Sequence, residues 1–389
     1  MKKNLNNKKI YLSILGNIKD PNAWSGTGYY CLESFKQMDI DVEGIRLKTN
    51  SLNHKLKRYC WNFYSFLKNK NIGGYQYSES SLSFLWNNLN NKFENQILIN
   101  FFPLFPAKII SNKNISKYFY IDLTLNQFFR EYGAPKKMSD SYKKQILEKE
   151  YKGFKESKHI FTHSNFVKND LLNTYNIEEK KISTIMPGAN LLNSFKIERK
   201  CSFKKLEYLE LLFIGKDIYR KGLDRLLEAI NKCNEKKTIC KLHIVGNKLE
   251  NDNRFMKYQK MPNIYEYGFI DKKNGINLLK DLLINCDIGI LLSRAEAGGM
   301  SLREFAFAGM PTISTKVGGI EDHVNKCGSI LIDKKNDSEI INEVIKTLKN
   351  LYSDQYKLNK LKKSSLKNSS EYSWEFSCAK IISKIKEIE

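Results

Sequence analysis

Two glutamates eight positions apart, Glu296 and Glu304, bracket a glycine pair in the run Arg294-Ala-Glu-Ala-Gly-Gly-Met-Ser-Leu-Arg-Glu304. Carboxylates are hydrogen-bond acceptors and suit the hydroxyls of a sugar. A glycine turn entering a helix instead aims N–H groups, here around Gly299, Met300 and Ser301, at a phosphate. A second candidate set is cationic: Lys216 and Lys221, with Arg220 between them, follow Gly215 at the end of the apolar run Tyr208–Gly215. Cations at the carboxyl end of such a strand can neutralise a diphosphate. A nucleotide sugar carries both kinds of group. The same residues admit plainer readings. Ser301-Leu-Arg-Glu304 also fits a capping box, in which Glu304 only satisfies the helix start. Glu296 could be a solvated loop acid, and Lys216 and Lys221 two solvated lysines in a lysine-rich chain.

Positioning these groups requires strands that end at them. Apolar runs at 8–15, 40–45, 96–101, 118–123, 160–162, 183–186, 208–216, 241–246, 263–271, 286–292 and 330–333 alternate with helix-like stretches, among them 27–38, 223–233 and 338–368. Repeated strand-then-helix units predict parallel sheets covered by helices on both faces. At 389 residues the chain exceeds what one core usually holds, so two domains are expected. Pro187-Gly188 and the polar run after it read as the link between them. His243 within an apolar strand reads as a core or strand-face residue, and His163 as a hydrogen-bonded structural one. Residues 54–70 mix basic and aromatic side chains at helical spacing. Such a helix lies at a membrane interface, packs its aromatic side into the core, or stacks on single-stranded nucleic acid.

The Glu296-to-Glu304 stretch, with Gly309-Met-Pro311 and Gly318-Gly319 behind it, resembles the Glu-x7-Glu signature of the retaining glycosyltransferases of family 4, in group 1 of the GT-B superfamily. The resemblance runs from about residue 8 to 385. It implies two facing Rossmann-like domains with parallel sheets and an active cleft between them: 1–190 on the acceptor side, a linker at 191–207, and 208–370 binding the nucleotide sugar. A closing helix in 371–389 returns to the first domain. It further implies transfer of a hexosyl-type sugar from a UDP-, GDP- or ADP-sugar to an acceptor hydroxyl, with retained configuration and no metal or other cofactor. Glu304 would hold the ribose, Glu296 the donor sugar, and Lys216 and Lys221 the diphosphate, with Arg220 as a further contact and Gly215, Gly299, Met300 and Ser301 supplying close backbone. The turn at Gly268 would border the base. The loop Trp24-Ser-Gly26-Thr would border donor and acceptor. Asp122 stands where many members carry a histidine near the reaction centre, and Gly298 where most carry an aromatic residue. An epimerase of the same architecture, or a binding protein for nucleic acid or an anionic surface with an inactive site, are the competing expectations.

Composition is that of a globular protein, 41% hydrophobic and 28% charged. Eight scattered cysteines without Cys-x-x-Cys predict a reducing compartment and no zinc site. Neither a secretory leader nor an apolar run of membrane-spanning length is visible, so a cytoplasmic protein is expected. The net charge of +23 is uneven: residues 1–200 carry 32 basic and 17 acidic side chains, residues 201–389 carry 33 and 25. No nucleic-acid module accompanies that excess. It suits the inner face of an anionic membrane or an anionic acceptor, with a glycan or lipid-linked acceptor and a nucleotide-sugar donor as the expected partners.

Overall fold

The computed structural model describes residues 8–49, 51–87, 89–135, 137–191 and 206–389. The chain divides into two units, one comprising the residues up to Met186 together with Ser377–Glu389, the other Pro187–Phe376. The expected linker, 191–207, lies mostly outside the described residues.

The first unit is built on β1 (Ile10–Ser13), β2 (Gly16–Asn17), β3 (Val42–Leu47), β4 (Ile97–Asn100), β5 (Ser116–Ile121), β6 (His159–Thr162) and β7 (Ile182–Thr184). Their order in the sheet is β2-β3-β1-β4-β5-β6-β7. All neighbours run parallel except the short β2, which lies antiparallel on β3. Because helices cover a parallel sheet on both faces, its strands are apolar throughout rather than alternating. Every residue of β1, β4, β5 and β6 is accordingly buried.

The second unit holds β8 (Leu209–Gly215), β9 (Cys240–Gly246), β10 (Ile264–Gly268), β11 (Ile288–Leu291), β12 (Thr312–Thr315) and β13 (Ser329–Ile332). They form one sheet in the order β10-β9-β8-β11-β12-β13, all parallel. Helix Leu223–Asn234 shows why it packs there: Leu223, Leu226, Leu227, Ile230 and Cys233 recur at helical spacing and are all buried. The order reverses between β8 and β11, and open sheets of this kind bind ligands at the carboxyl ends of the strands flanking such a reversal. In the first unit the corresponding pair is β1 and β4.

The closing helix, Trp374–Ile388, carries the chain from the second unit into the first, as the resemblance implied. Ser377 Oγ donates to the Met186 carbonyl, and the Cys378 and Cys31 sulfurs lie 3.9 Å apart in the interior. At its far end the Glu389 carboxylate accepts from Lys8, Ser116, Tyr118 and Lys158. Burial opposes its charge, but these four donors outweigh that and hold its pKa at about 2. Helix Leu52–Asn69 corrects the expectation that an aromatic side packs inward. The side chains it turns to the body are His54, Ser65 and the half-buried Trp61, whose ring meets Tyr75 and Tyr142, while most of its large apolar residues face solvent. Among the described residues no helix is long and apolar enough to cross a membrane.

Candidate active site

The loops that follow β8 and β11 bring the candidate residues of the second unit together. After β8 the chain turns tightly, with the Lys221 N–H donating to the Asp217 carbonyl. That one-turn spacing puts Arg220 and Lys221 on the side of the loop that faces β11. Gly215 leaves room beneath them: a Cβ there would lie 2.2 Å from Lys221 Cδ, so a side chain at 215 would push the lysine stem off its course across the strand end. After β11, Ser293 to Gly299 form the facing loop. The two loops are tied by the Arg294 N–H to the Arg220 carbonyl and by Arg220 Nη1 to the Ala295 carbonyl, both 2.7 Å.

Glu296 sits between them, 9% exposed. One carboxylate oxygen accepts from Lys221 Nζ at 3.0 Å, Arg220 Nη1 at 3.1 Å and Ser293 Oγ at 3.3 Å. Burial pushes its pKa up, but the two cations and their hydrogen bonds prevail and hold the carboxyl below its ordinary range. It is therefore a charged carboxylate held by two cations, not a solvated loop acid.

Gly299 begins the helix Met300–Phe307 with φ near 79°, a left-handed conformation that a residue with a Cβ adopts only under strain. This corrects the capping-box alternative. The cap is Gly299, Ser301 lies inside the first turn, and its buried Oγ has no hydrogen-bond partner among the described residues. The N–H groups of Met300 and Ser301 fall in the first helical turn, which has no partners within the helix. Glu304, one turn on and 3% exposed, is engaged by Lys272. Lys272 also donates to the Asn190 carbonyl at 3.0 Å. Nothing in the sequence pattern singled out Lys272. It comes from the turn after β10, and only pairing across the sheet brings that turn to Glu304.

Lys216 is placed differently from the expectation that it joins Lys221. Its ammonium lies 4.1 Å from the centre of the Phe269 ring, just past the left-handed Gly268 that ends β10. Position 216 still belongs to the strand end, five residues from Lys221 and off the turn that carries Arg220. Arg220 thus takes the place beside Lys221 that was assigned to Lys216. A cleft of about 330 Å³ opens there, lined by Lys216, Asp217, Ile218, Asn247, Lys248, Asn251 and Asp252. Gly298 lies under His323: a Cβ would meet that ring at 2.2 Å, so the histidine occupies the room an aromatic side chain at 298 would need.

In the first unit, Asp122 follows β5 directly and is half-buried. Gly26 starts helix Thr27–Gln37 at φ 93°, after two further left-handed residues, Trp24 and Ser25. The Trp24 indole N–H holds the Leu15 carbonyl at 3.0 Å, and its ring meets Phe102 edge-on. Three successive residues in that conformation are costly and persist where a loop shape is over-determined. His163 packs its ring on Tyr120, and His243 lies on the sheet face between Glu210 and Tyr267.

A Rossmann-like sheet with a carboxylate–cation cluster and a glycine-started helix at its reversal point defines a unit suited to nucleotide-linked substrates. Residues 194–365 match the model of the family described as Glycosyl transferases group 1. That match falls within the second unit. An uncharacterized glycosyltransferase of Methanocaldococcus jannaschii is 26% identical over 241 residues, which are 60% of this chain and 60% of that protein. The match thus spans less than two thirds of that relative's length. Among solved structures, WaaG, a glycosyltransferase involved in lipopolysaccharide biosynthesis, matches at TM-score 0.63 and 13% identity over 97% of this chain and 99% of its own. Sucrose-phosphate synthase of Thermosynechococcus elongatus matches at TM-score 0.69 and 13% identity over 98% of each. At such identities the likeness establishes the GT-B fold.

Proposed function

We propose that the protein is a retaining, metal-independent glycosyltransferase moving a hexosyl-type group from a nucleoside-diphosphate sugar to an acceptor hydroxyl. The observation that carries this is the Glu296 carboxylate held between Lys221 and Arg220 beside the start of helix Met300–Phe307. In that ion pair one Glu296 oxygen takes the donors that a diphosphate oxygen would take. When a donor binds, Lys221 and Arg220 swing onto the diphosphate, joined by the Met300 and Ser301 N–H groups and the unpartnered Ser301 hydroxyl. Glu296, relieved of its cations, accepts from the sugar hydroxyls. Glu304 accepts from the ribose hydroxyls, with Lys272 moving from its carboxylate toward phosphate. As the bond from the anomeric carbon to the phosphate oxygen breaks, negative charge grows on that oxygen. Cations and N–H groups already aimed there stabilise the transition state more than the ground state. Departing phosphate accepts the proton of the incoming hydroxyl, on the same face, which retains configuration. Asp122 acts on the acceptor side, and Lys216 over Phe269 borders the nucleotide.

A cell-surface glycan or glycolipid acceptor is the reading supported by the description of WaaG. The test is thermal unfolding with UDP, GDP, ADP and their sugars, followed by transfer assays with the donor so chosen. A nucleotide at 100 times its Kd stabilises by about 2.7 kcal/mol. Glu304→Ala should fold, lose that shift and lose transfer. Wild-type transfer by folded Glu304→Ala would overturn the assignment, and donor turnover that needs no acceptor would point to an epimerase instead.

A further inference from the structure

Helix Leu52–Asn69 is the largest feature of the first unit that the proposed reaction leaves unused. Leu52, Leu56, Tyr59, Phe63, Phe66 and Leu67 recur at intervals of four, three, four, three and one. At about 100° per residue they fall within an arc of roughly 100°, a single stripe along five turns. Each is between 48% and 78% exposed. The buried residues His54 and Ser65, with the half-buried Trp61, define the opposite side, so the stripe points away from the body of the first unit. Side chains of this size left in water each forgo the free energy of burial, and a continuous row of them marks a surface made to be covered.

Charge says what covers it. From Gly44 to Ser78 the sequence holds no Asp or Glu, while Arg46, Lys48, Lys55, Lys57, Arg58, Lys68 and Lys70 are all basic. Lys55 stands exposed at the edge of the stripe, and the exposed Lys57, Arg58 and Lys68 flank the side that meets the body. A second copy seated on the stripe in a symmetric pair would bring like charges together with no acid to offset them. The helix is not apolar enough to cross a bilayer. An apolar stripe on a basic helix with no acids is instead the pattern of a helix lying in a lipid interface, its rings among the acyl chains and its lysines at the headgroups.

We propose that helix Leu52–Asn69 docks the protein on an anionic membrane surface, through the stripe from Leu52 to Leu67 and the basic side chains of the helix. This stands apart from the transfer reaction, and its test reads no sugar. The full chain is floated with vesicles of phosphatidylglycerol and phosphatidylcholine in equal parts, and with phosphatidylcholine alone. Binding is expected to the anionic vesicles, at least tenfold weaker to the neutral ones, and weakened by raising salt. Leu56→Ser/Phe63→Ser should cut the partition coefficient at least tenfold at unchanged melting temperature, because both side chains are already in water in the free protein. Lys57→Glu/Arg58→Glu should do so for anionic vesicles only. Three results would overturn the proposal. One is no binding to anionic vesicles, and another is equal binding by Leu56→Ser/Phe63→Ser. The third is a partner of another kind: a dimer in sedimentation, or a complex with single-stranded DNA, that dissolves with the same double substitution.

Discussion

The two units bury a carboxylate in opposite ways. In the second, Glu296 is ringed by Lys221, Arg220 and Ser293, and the cations keep it charged below its ordinary pKa. In the first, Glu150 is equally buried, but its partners are the Leu125 N–H and the Tyr175 hydroxyl. Burial pushes its pKa up to about 8, with the nearby Asp170 charge adding to the rise against those hydrogen bonds. A carboxylate kept charged by lysine and arginine side chains sits among cations that an incoming anionic ligand can also engage. One kept neutral by burial, with no cation beside it, is a structural strut: Glu150 pins the residue after Thr124, whose side chain caps the next helix and bonds Asp170. The strand ends at the two reversal points differ in the same sense. β1 and β4 are joined by a neutral contact, Ser13 Oγ to Asn100 Oδ1 at 2.9 Å, with Trp24 and Phe102 nearby. Beside β8 and β11 stand ions.

Removing the charge of Glu296 is the strongest way to break this comparison. Glu296→Gln should lower transfer or donor hydrolysis by ~10²–10³-fold, the size seen when one preorganised electrostatic group is lost. A steady-state assay on the folded variant checks it. Lys221→Ala and Lys216→Ala then separate position from residue type. The first removes a cation from Glu296 and should cost about 10²-fold in kcat, whereas the second leaves that cluster whole and should cost less than about 10-fold. Equal losses from the two lysines would mean that the contact of Lys216 with Phe269 is given up once donor binds.

Much of this was legible in the sequence, and what was not has physical causes. Parallel strands buried on both faces announce themselves as unbroken apolar runs, so β8 and β11 were readable from composition alone. β12 was not: Thr-Ile-Ser-Thr is mostly polar, and it is a strand because it lies between β11 and β13. The pairing of Lys216 with Lys221 failed because spacing along a chain does not say which residues of a loop share a turn. Lys272 was invisible because its approach to Glu304 depends on the order of strands in the sheet. The aromatic helix Leu52–Asn69 was readable as a helix, but periodicity gives the stripe and not the direction it faces. β12 apart, the local pattern gave the element and the tertiary contact gave its partner.

Glu150→Gln sharpens the comparison from the structural side. Its folded pKa of about 8 lies above the ordinary carboxylate value, so the unfolded chain releases the proton first as pH rises. Glu150 therefore costs no stability below about pH 4, and costs progressively more between there and about pH 8. Denaturant unfolding should show wild-type stability falling across that window by up to about 5 kcal/mol through this residue. Glu150→Gln should flatten the fall and be the more stable form at pH 8. In the upper part of that window Glu296 stays charged, because its two cations hold its pKa below the ordinary value. A fall as steep in Glu150→Gln as in the wild type would show that Glu150 is not its source.

The smallest effect expected concerns the neutral, aromatic edge of the first unit. If that edge receives the acceptor, Trp24→Ala should raise the acceptor KM several-fold, about 1 kcal/mol for one lost ring contact. Donor binding, read as the nucleotide-dependent melting shift, should not move. Trp24→Phe isolates the cause. It keeps a ring against Phe102 and gives up the indole bond to the Leu15 carbonyl, which holds a loop of three left-handed residues in shape. An acceptor KM restored by Phe makes the ring the contact. A KM raised equally by Phe and Ala makes the hydrogen bond the agent, with Trp24 shaping the loop around Gly26 and touching no substrate. Either result divides recognition between the units as the charges do, with ionic contacts for the donor and neutral surfaces for the acceptor. A variant at Trp24 that abolished the nucleotide shift would erase that division.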